Sequence, residues 1–525
     1  MRDFHFPGRS PVFATNGMVA TSHPLASQTG VDILKRGGSA MDAALGGAVL
    51  LGLCEPQMTG LYGDMFALVQ RTPDGPVEAY NGSGRAPAGA SAARLRDAGH
   101  TTIPLDGPDA ITIPGAVAAI CDLSNTYGTL GLDAILAPAI AYAEAGIPVA
   151  PRVAQDWASN GVRLQGHAKT WFLNSGAPFA AGEVFKAPGQ AKVLRRIAAH
   201  GADGFYTGEV ADDILATLTS IGGCHTAEDF AAAKGEVTTP VSADVLGHRL
   251  FEHPPNSQGA AAILLLNILS HFDLASMDPF GAARTHIEAE ATKLAYDCRN
   301  RLLADPTTFD ATERMCDPAF AAALAALIDP KRAMPDVAKL TEAVHKDTVY
   351  ITAVDRDGMT VSLIYSIFHG FGSGHATEKF GLILHNRGAG FTLEAGHPNE
   401  LAPGKRPMHT IIPGILHQAD GGRMPFGVMG GQYQSCGHAR VLTNMHVYGM
   451  DPQTALDAPR SFAEGNTLSL ERGYSSDVCQ ELADMGHTVE IPEGAIGGAQ
   501  AIRAHPSGVL EGASDPRKDG CALGY

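Results

Sequence analysis

Two short β-branched runs carry the hydroxyl groups that could do chemistry. Residues 348–354 read Thr-Val-Tyr-Ile-Thr-Ala-Val, and residues 359–367 read Met-Thr-Val-Ser-Leu-Ile-Tyr-Ser-Ile. Both compositions favour strands. Between them, Asp355-Arg356-Asp357-Gly358 predicts a hairpin with a three-residue loop, 356–358, whose glycine takes the left-handed backbone. That loop pairs Asp355 with Met359 and, counted back along both strands, Thr348 with Ser366. Cross-strand neighbours stand about 5 Å apart, so the two hydroxyls come within hydrogen-bond reach. A threonine inside a chain has no base to activate it. A threonine that heads a chain carries one, its own α-amine, with an ordinary pKa near ~8. Scission between Asp347 and Thr348 would create that amine. Taken alone, the pattern is more often a plain amphipathic hairpin with threonines on its polar face.

A second feature is Gly430-Gly431, which follows a predicted strand over 425–429. Paired glycines let backbone N–H groups approach a developing oxyanion without side-chain obstruction, although most such pairs are structural. The loop Gly370-Phe371-Gly372-Ser373-Gly374 either lines a pocket or is a turn. Other chemistries lack their signatures. No H-E-x-x-H, Walker A, G-x-G-x-x-G between strand and helix, or G-x-S-x-G is present, which argues against zinc peptidases, P-loop enzymes, Rossmann dehydrogenases and α/β-hydrolases. No metal or other cofactor is expected.

The elements that position these groups are legible in outline. Residues 24–53 predict two helices broken at Gly37-Gly38, with Ser39 capping the second. A glycine-rich turn over 55–64 leads to a strand at 65–70. Apolar periodicity predicts helices over 134–146, 212–221, 260–274 and 286–303, in a region, 115–330, that reads as mainly helical. Residues 254–259 form a turn into a helix, and 304–346 read as a short helix followed by an exposed segment. With 525 residues, 45% of them hydrophobic, the chain can bury a large core. Its net charge of −17 and lack of a basic run exclude nucleic acid and anionic membranes as natural partners. No apolar run suits a membrane helix or a secretory leader, and no C-x-x-C pair occurs among the eight cysteines. Cytoplasmic placement with buried free thiols is the reading that follows.

Taken together, several stretches resemble the γ-glutamyltranspeptidase family of N-terminal-nucleophile hydrolases along nearly the whole chain. They are Gly17 to Ala20 with His23 to Ala26, Gly37 to Ala44, Tyr127 to Leu130 with Leu136 to Ile140, and Gly201 to Glu209. Pro254 to Gly259, Asp347-Thr348, Phe371 to Gly374 and Gly512 to Arg517 complete the set. The resemblance implies an α+β fold, a four-layer αββα sandwich. It also implies a zymogen that cuts itself at Asp347-Thr348 into a helix-rich part, 1–347, and a strand-rich part, 348–525. The parts stay together as one co-folded heterodimer, which could dimerise further. Thr348 is then the nucleophile that forms an acyl-enzyme, Ser366 supports it, and Gly430 and Gly431 form the oxyanion hole.

Where the chain departs from the family, the substrate is affected. Glutathione-processing members grip the γ-glutamyl group with an arginine where Ser83 stands, an aspartate where Gly390 stands, an asparagine where Phe368 stands, and paired serines where His409 and Thr410 stand. In their place are Arg387, His409 and Thr410, with Arg85 and His369 as further candidates. Arginine favours a carboxylate through paired hydrogen bonds. The segments 386–391 and 403–410 are similar to the oxamate amidohydrolase branch. The expected activity is hydrolysis of a small-molecule amide that carries a carboxylate. The alternatives are a γ-glutamyltransferase or glutathione hydrolase, and an uncleaved family member used as a binding protein.

Overall fold

The computed structural model describes residues 5, 8–334, 348–465 and 467–525. Two seven-stranded antiparallel sheets lie face to face, with helices on both outer sides. One sheet runs, in spatial order, Val12–Ala14, Leu510–Ser514, Gly498–Ala504, Arg423–Met429, Gly414–His417, His248–Glu252, Val241–Val245. The other runs Cys521–Gly524, Met18–Thr21, Val349–Val354, Thr360–Ser366, Asp64–Gln70, Val77–Gly82, Glu236–Thr238. This is the four-layer αββα sandwich. Each sheet interleaves strands from before and after position 348.

The central hairpin has the expected register, with Val349 opposite Tyr365 and Val354 opposite Thr360, and Gly358 at φ +85° in the turn. Both of its faces are buried. Val349, Ile351, Leu363 and Tyr365 pack outward into the core under the helices. Tyr350 and Ile364 point inward and meet Phe66 and Met429 between the sheets. The facing strand accommodates Tyr350 through Gly427, where a Cβ would lie 2.3 Å from the ring. Because side chains alternate with period two, a slip of one residue would exchange these layers and turn Thr348 away from the inter-sheet space.

Helix Ala40–Cys54 covers the outer face of the hairpin and is buried along its whole length. Its start is set by a reciprocal cap. The Ser39 hydroxyl accepts from the Asp42 N–H, and Asp42 accepts from the Ser39 N–H; such caps contribute about 1 kcal/mol. The other outer face is covered by Gly259–Leu269, Ala282–Leu302 and Gln434–His446.

Some expectations are corrected. The 115–330 region also contains the strands Glu236–Thr238, Val241–Val245 and His248–Glu252, whose mixed polar composition hides them; the first two are edge strands and the third lies one strand in. Residues 304–334 hold two short helices, Thr312–Cys316 and Pro318–Ala325. The 370–374 loop is a turn. Phe371, at φ +57°, packs against Trp157 and Phe172 in an aromatic cluster. All eight cysteines are free, but only Cys54, Cys121, Cys298 and Cys436 are buried and Cys224 is exposed. No helix among the described residues is long and apolar enough to cross a membrane. Asp347 lies outside the described residues.

Candidate active site

Thr348 stands at the head of a central strand, buried with 2% of its surface exposed. Its hydroxyl donates to the Ser366 hydroxyl at 3.4 Å. Ser366 Oγ also accepts from the Phe368 N–H at 2.9 Å and from Arg387 Nη2 at 3.0 Å. The first of these bonds holds a tight turn in which Phe368 takes φ +80°. A bulky residue in that region is strained, and the surrounding contacts hold it there. The Arg387 guanidinium lies over the Phe368 ring, 4.2 Å from its centroid.

The next strand of the sheet adds a residue that the sequence reading passed over. Asp64 is the register partner of Ser366, so Thr348, Ser366 and Asp64 form one row across three strands. One Asp64 oxygen accepts from the Gly84 and Gly115 N–H groups at 2.8 and 3.2 Å. The other faces His385 at 3.4 Å, His409 at 3.6 Å and Arg387 at 3.8 Å. Every member of this cluster has no exposed surface. Burial pushes the Arg387 guanidinium down to about 10, although Asp64 opposes the shift. Burial, and then the Arg387 charge, push His409 well below the ordinary imidazole value. His385 is lowered too, by burial first, with Asp64 opposing. The signal that could have found Asp64 is its place on the inward face with Phe66 and Leu68, where a carboxylate is costly unless it has work to do.

His409 and Thr410 are carried on an extended segment held by the 254–259 turn. The His409 N–H donates to Asn256 O at 2.7 Å, Ser257 Oγ donates to Ile411 O at 2.8 Å, and Gln258 Nε2 donates to Thr410 O at 2.6 Å and to Gly431 O at 3.3 Å. Gln258 therefore ties the Thr410 segment to the glycine pair. Gly430 and Gly431 take φ +117° and +57°, after strand Arg423–Met429, and Gly431 opens the 3-10 turn Gly431–Tyr433 that leads into helix Gln434–His446. Backbone N–H groups there lie at the positive end of a helix dipole.

The remaining predicted residues have other contacts. His369 donates from its backbone and Nδ1 to Asn386 Oδ1, both at 3.2 Å, and so braces the residue before Arg387. Arg85 is half-exposed, and its Nη1 is engaged with Asp305 at 3.3 Å and Gly404 O at 3.0 Å rather than with the Asp64 cluster. Among the described residues, Arg387 Nε and Nη1, both ring nitrogens of His409, and Thr410 Oγ1 are buried without a hydrogen-bond partner. Such groups are costly to leave empty. Arg387 Nε and His409 Nε2 face the Asp64 oxygen, itself without a hydrogen-bond partner, and Arg387 Nη1 and Thr410 Oγ1 are buried donors of the kind a small anion takes.

One group away from this row has metal-ligand types, His286, Glu290 and His487. Its atoms already bond each other and their neighbours. His286 Nε2–H donates to Asp329 O at 2.8 Å, Nδ1 meets His487 Nε2 at 2.8 Å, and Glu290 accepts from Lys293 and the Met334 N–H, both at 2.7 Å. It brackets the segment that ends at Met334.

The four-layer fold and the hydroxyl pair at the head of its central strand define an N-terminal-nucleophile hydrolase architecture. The profile of gamma-glutamyltranspeptidases matches residues 26–525, and the chain belongs to this family of enzymes, which act on amides. It is 36% identical to the glutathione hydrolase-like YwrD proenzyme of Bacillus subtilis, over 98% of this chain and 99% of that one. It is 34% identical to the oxamate amidohydrolase proenzyme of Klebsiella pneumoniae, again over 98% and 99%. The crystal structure of cephalosporin acylase from Bacillus halodurans superposes with a TM-score of 0.92 at 38% identity, covering 100% of this chain and 99% of that one.

Proposed function

We propose that the protein cuts its own Asp347–Thr348 bond and then hydrolyses the amide of a small carboxylic acid through a Thr348 acyl-enzyme. The freed α-amine takes the hydroxyl proton as Oγ attacks the amide carbon. The tetrahedral oxyanion is received by N–H groups at Gly430 and Gly431. The amine returns the proton to the leaving nitrogen, the C–N bond breaks, and water cleaves the resulting ester by the same route. Ser366 orients the attacking hydroxyl. The interleaving of strands from 1–347 and 348–525 in both sheets supports two parts that stay together as one unit after the cut.

The observation that carries the substrate reading is Arg387, whose Nη2 donates to Ser366 while its Nη1 is buried without a hydrogen-bond partner, as is Thr410 Oγ1. The donors and the nucleophile are buried together, which favours a short acyl group with its carboxylate close to the scissile amide. Similarity to an oxamate amidohydrolase agrees with this. A γ-glutamyl substrate is the second reading, favoured by similarity to the glutathione hydrolase-like relative. Against it, the Phe368 ring lies under the Arg387 guanidinium, where glutathione-processing members resemble one another in having an asparagine. The test is ammonia release by the matured protein from oxamate and its short homologues, beside release of aniline from a γ-glutamyl anilide. Turnover of the small amides, lost in Arg387→Ala, supports the first reading. Turnover of the anilide alone sinks it.

A further inference from the structure

Behind the glycine pair, one arginine holds the side chains that fix its peptides. Arg299 lies in the last turn of helix Ala282–Leu302 and is buried. Its Nη1 donates to Gln258 Oε1 at 2.9 Å and to Gln432 Oε1. Its Nε and Nη2 donate to Asn300 Oδ1 at 3.0 and 2.8 Å, and the guanidinium lies over the Tyr296 ring, 4.2 Å from the centroid. These acceptors are neutral amide oxygens. Glu464 acts on Arg299 only from beyond ion-pair distance, and among the described residues no carboxylate pairs with it. A buried guanidinium without a counter-ion is costly to stability, which points to a role beyond packing.

Three successive carbonyls of the glycine turn are engaged around this arginine. Gly430 O accepts from the Tyr433 N–H at 3.1 Å, Gly431 O from Gln258 Nε2 at 3.3 Å, and Gln432 O from the Tyr296 hydroxyl. In a trans peptide the N–H points opposite to the carbonyl, so tying Gly430 O back into the turn directs the Gly431 N–H outward. Among the described residues, no carbonyl accepts from the Gly430 or Gly431 N–H. Glycine gives these peptides little resistance to rotation, and their direction therefore rests on outside partners. Gln258 and Gln432 are amides that can turn end for end. Arg299 carries donors only, so it fixes both with the oxygen towards itself. Gln258 is thereby obliged to offer its Nε2 to Gly431 O and Thr410 O, and Gln432 pins the turn Gly431–Tyr433 to the helix.

We infer that Arg299 is a positioning residue for the oxyanion hole. By fixing the Gln258 and Gln432 amides it holds the peptides of the glycine pair with their N–H groups free for the tetrahedral oxyanion. The inference rests on the Thr348 acyl-enzyme reading above and extends it to a side chain behind the hole.

The test follows acetylation of the matured protein by p-nitrophenyl acetate, a small ester that reports acylation whatever amide is the natural substrate. The burst of p-nitrophenolate gives the acylation rate constant and the apparent dissociation constant separately, and mass spectrometry of fragment 348–525 locates the acetyl group. Arg299→Met should lower the rate constant about 10–100-fold, less than the loss of a whole oxyanion donor, while the dissociation constant changes by no more than about twofold. Arg299→Lys, which keeps a charged donor, should recover part of the loss. Each variant is also compared on the corresponding thionoester, whose sulfur accepts poorly from N–H groups. The preference for oxygen over sulfur should shrink about tenfold in Arg299→Met, and a merely structural role would not move it. Should Arg299→Met fail to mature, Gln432→Met removes one of the two amides and should show the same change to a smaller extent, about threefold. An unchanged rate, or a lower rate with an unchanged preference for oxygen, overturns the inference and leaves the Thr348 reading intact. A wild type that takes no acetyl group on Thr348 overturns both.

Discussion

Ser366 stands directly opposite Asp64 in the register of their two strands, so the hydroxyl beside Thr348 and the carboxylate behind Arg387 occupy neighbouring places in one sheet row. The Thr348 and Ser366 hydroxyls and the Asp64 carboxylate are therefore fixed to one another through backbone ladders, and Arg387 reaches them from the short helical turn Arg387–Gly390. That rigidity suits chemistry whose rate depends on placement to within about half an ångström.

Thr348→Ala should remain a single full-length chain on denaturing electrophoresis, while the wild type resolves into fragments 1–347 and 348–525. Ser366→Ala should mature more slowly and lose about 10–100-fold in kcat with little change in KM, because one hydrogen bond to the attacking oxygen is lost. A Thr348→Ala chain that turns over substrate at the wild-type rate would refute the nucleophile assignment.

Arg387→Ala should lower kcat/KM by roughly 10–100-fold, chiefly through KM, since a charge-assisted hydrogen bond contributes about 1.5–3 kcal/mol. Arg387→Lys should recover only part of this, because an ammonium cannot reach Ser366 and the acid with the same planar geometry. Steady-state kinetics on both variants decides the matter. An unchanged KM in both would remove Arg387 from the binding site.

Gly430→Ala should damage both stability and rate. At φ +117° an alanine is strained by about 1–3 kcal/mol, and its Cβ would lie 2.8 Å from the Cα of Gly497. The melting temperature should fall, and kcat should drop at least about tenfold as the N–H groups shift from the oxyanion position. Wild-type kcat in a folded variant would exclude this peptide from the oxyanion hole.

The rate should depend on pH in two steps. Activity should rise as the Thr348 amine loses its proton, near about 8 if unperturbed. KM should then climb as Arg387, pushed down to about 10 by burial, loses its charge above that pH. A pH profile of kcat and KM measured separately tests both limbs. A KM that stays flat to pH 11 would show that Arg387 keeps its charge over this range, as guanidinium groups ordinarily do.

Stability should carry a signature of Glu55, which is buried and accepts from the Ser22 hydroxyl. Burial raises its folded-state pKa from 4.5 to about 7. The unfolded chain then releases the proton first, so the folded state binds more protons between those values. This contribution to stability is complete below about 4.5 and is lost as pH rises to about 7, by on the order of 3 kcal/mol. Denaturant unfolding of Glu55→Gln should therefore lack this decline, and the difference from wild type should grow between pH 4.5 and 7. Parallel curves for the two proteins would show that Glu55 is ionised in the fold.

Much of the hairpin could be read directly. The β-branched runs and the Asp-Gly turn determine a strand register, and that register determines which hydroxyl faces Thr348. The Ser39 cap and the helices over 24–54 were legible for the same reason, since caps and periodic stripes are local. The strands between 236 and 252 were not, because their side chains alternate weakly and two of them pair far along the chain, Glu236–Thr238 with Val77–Gly82 and His248–Glu252 with Gly414–His417.

The sequence by itself thus determined the pairing of Thr348 with Ser366 and the place of the glycine pair after its strand, because spacing within a hairpin or a turn is a local property of the backbone. Only the tertiary structure decided the rest. Asp64 joined the row through its pairing with Ser366, about three hundred residues away in sequence, His409 was brought to it by the turn at 254–259, and Arg85 was drawn to Asp305. Such placements come from which strands pair and which faces are buried, and these are set by the whole core.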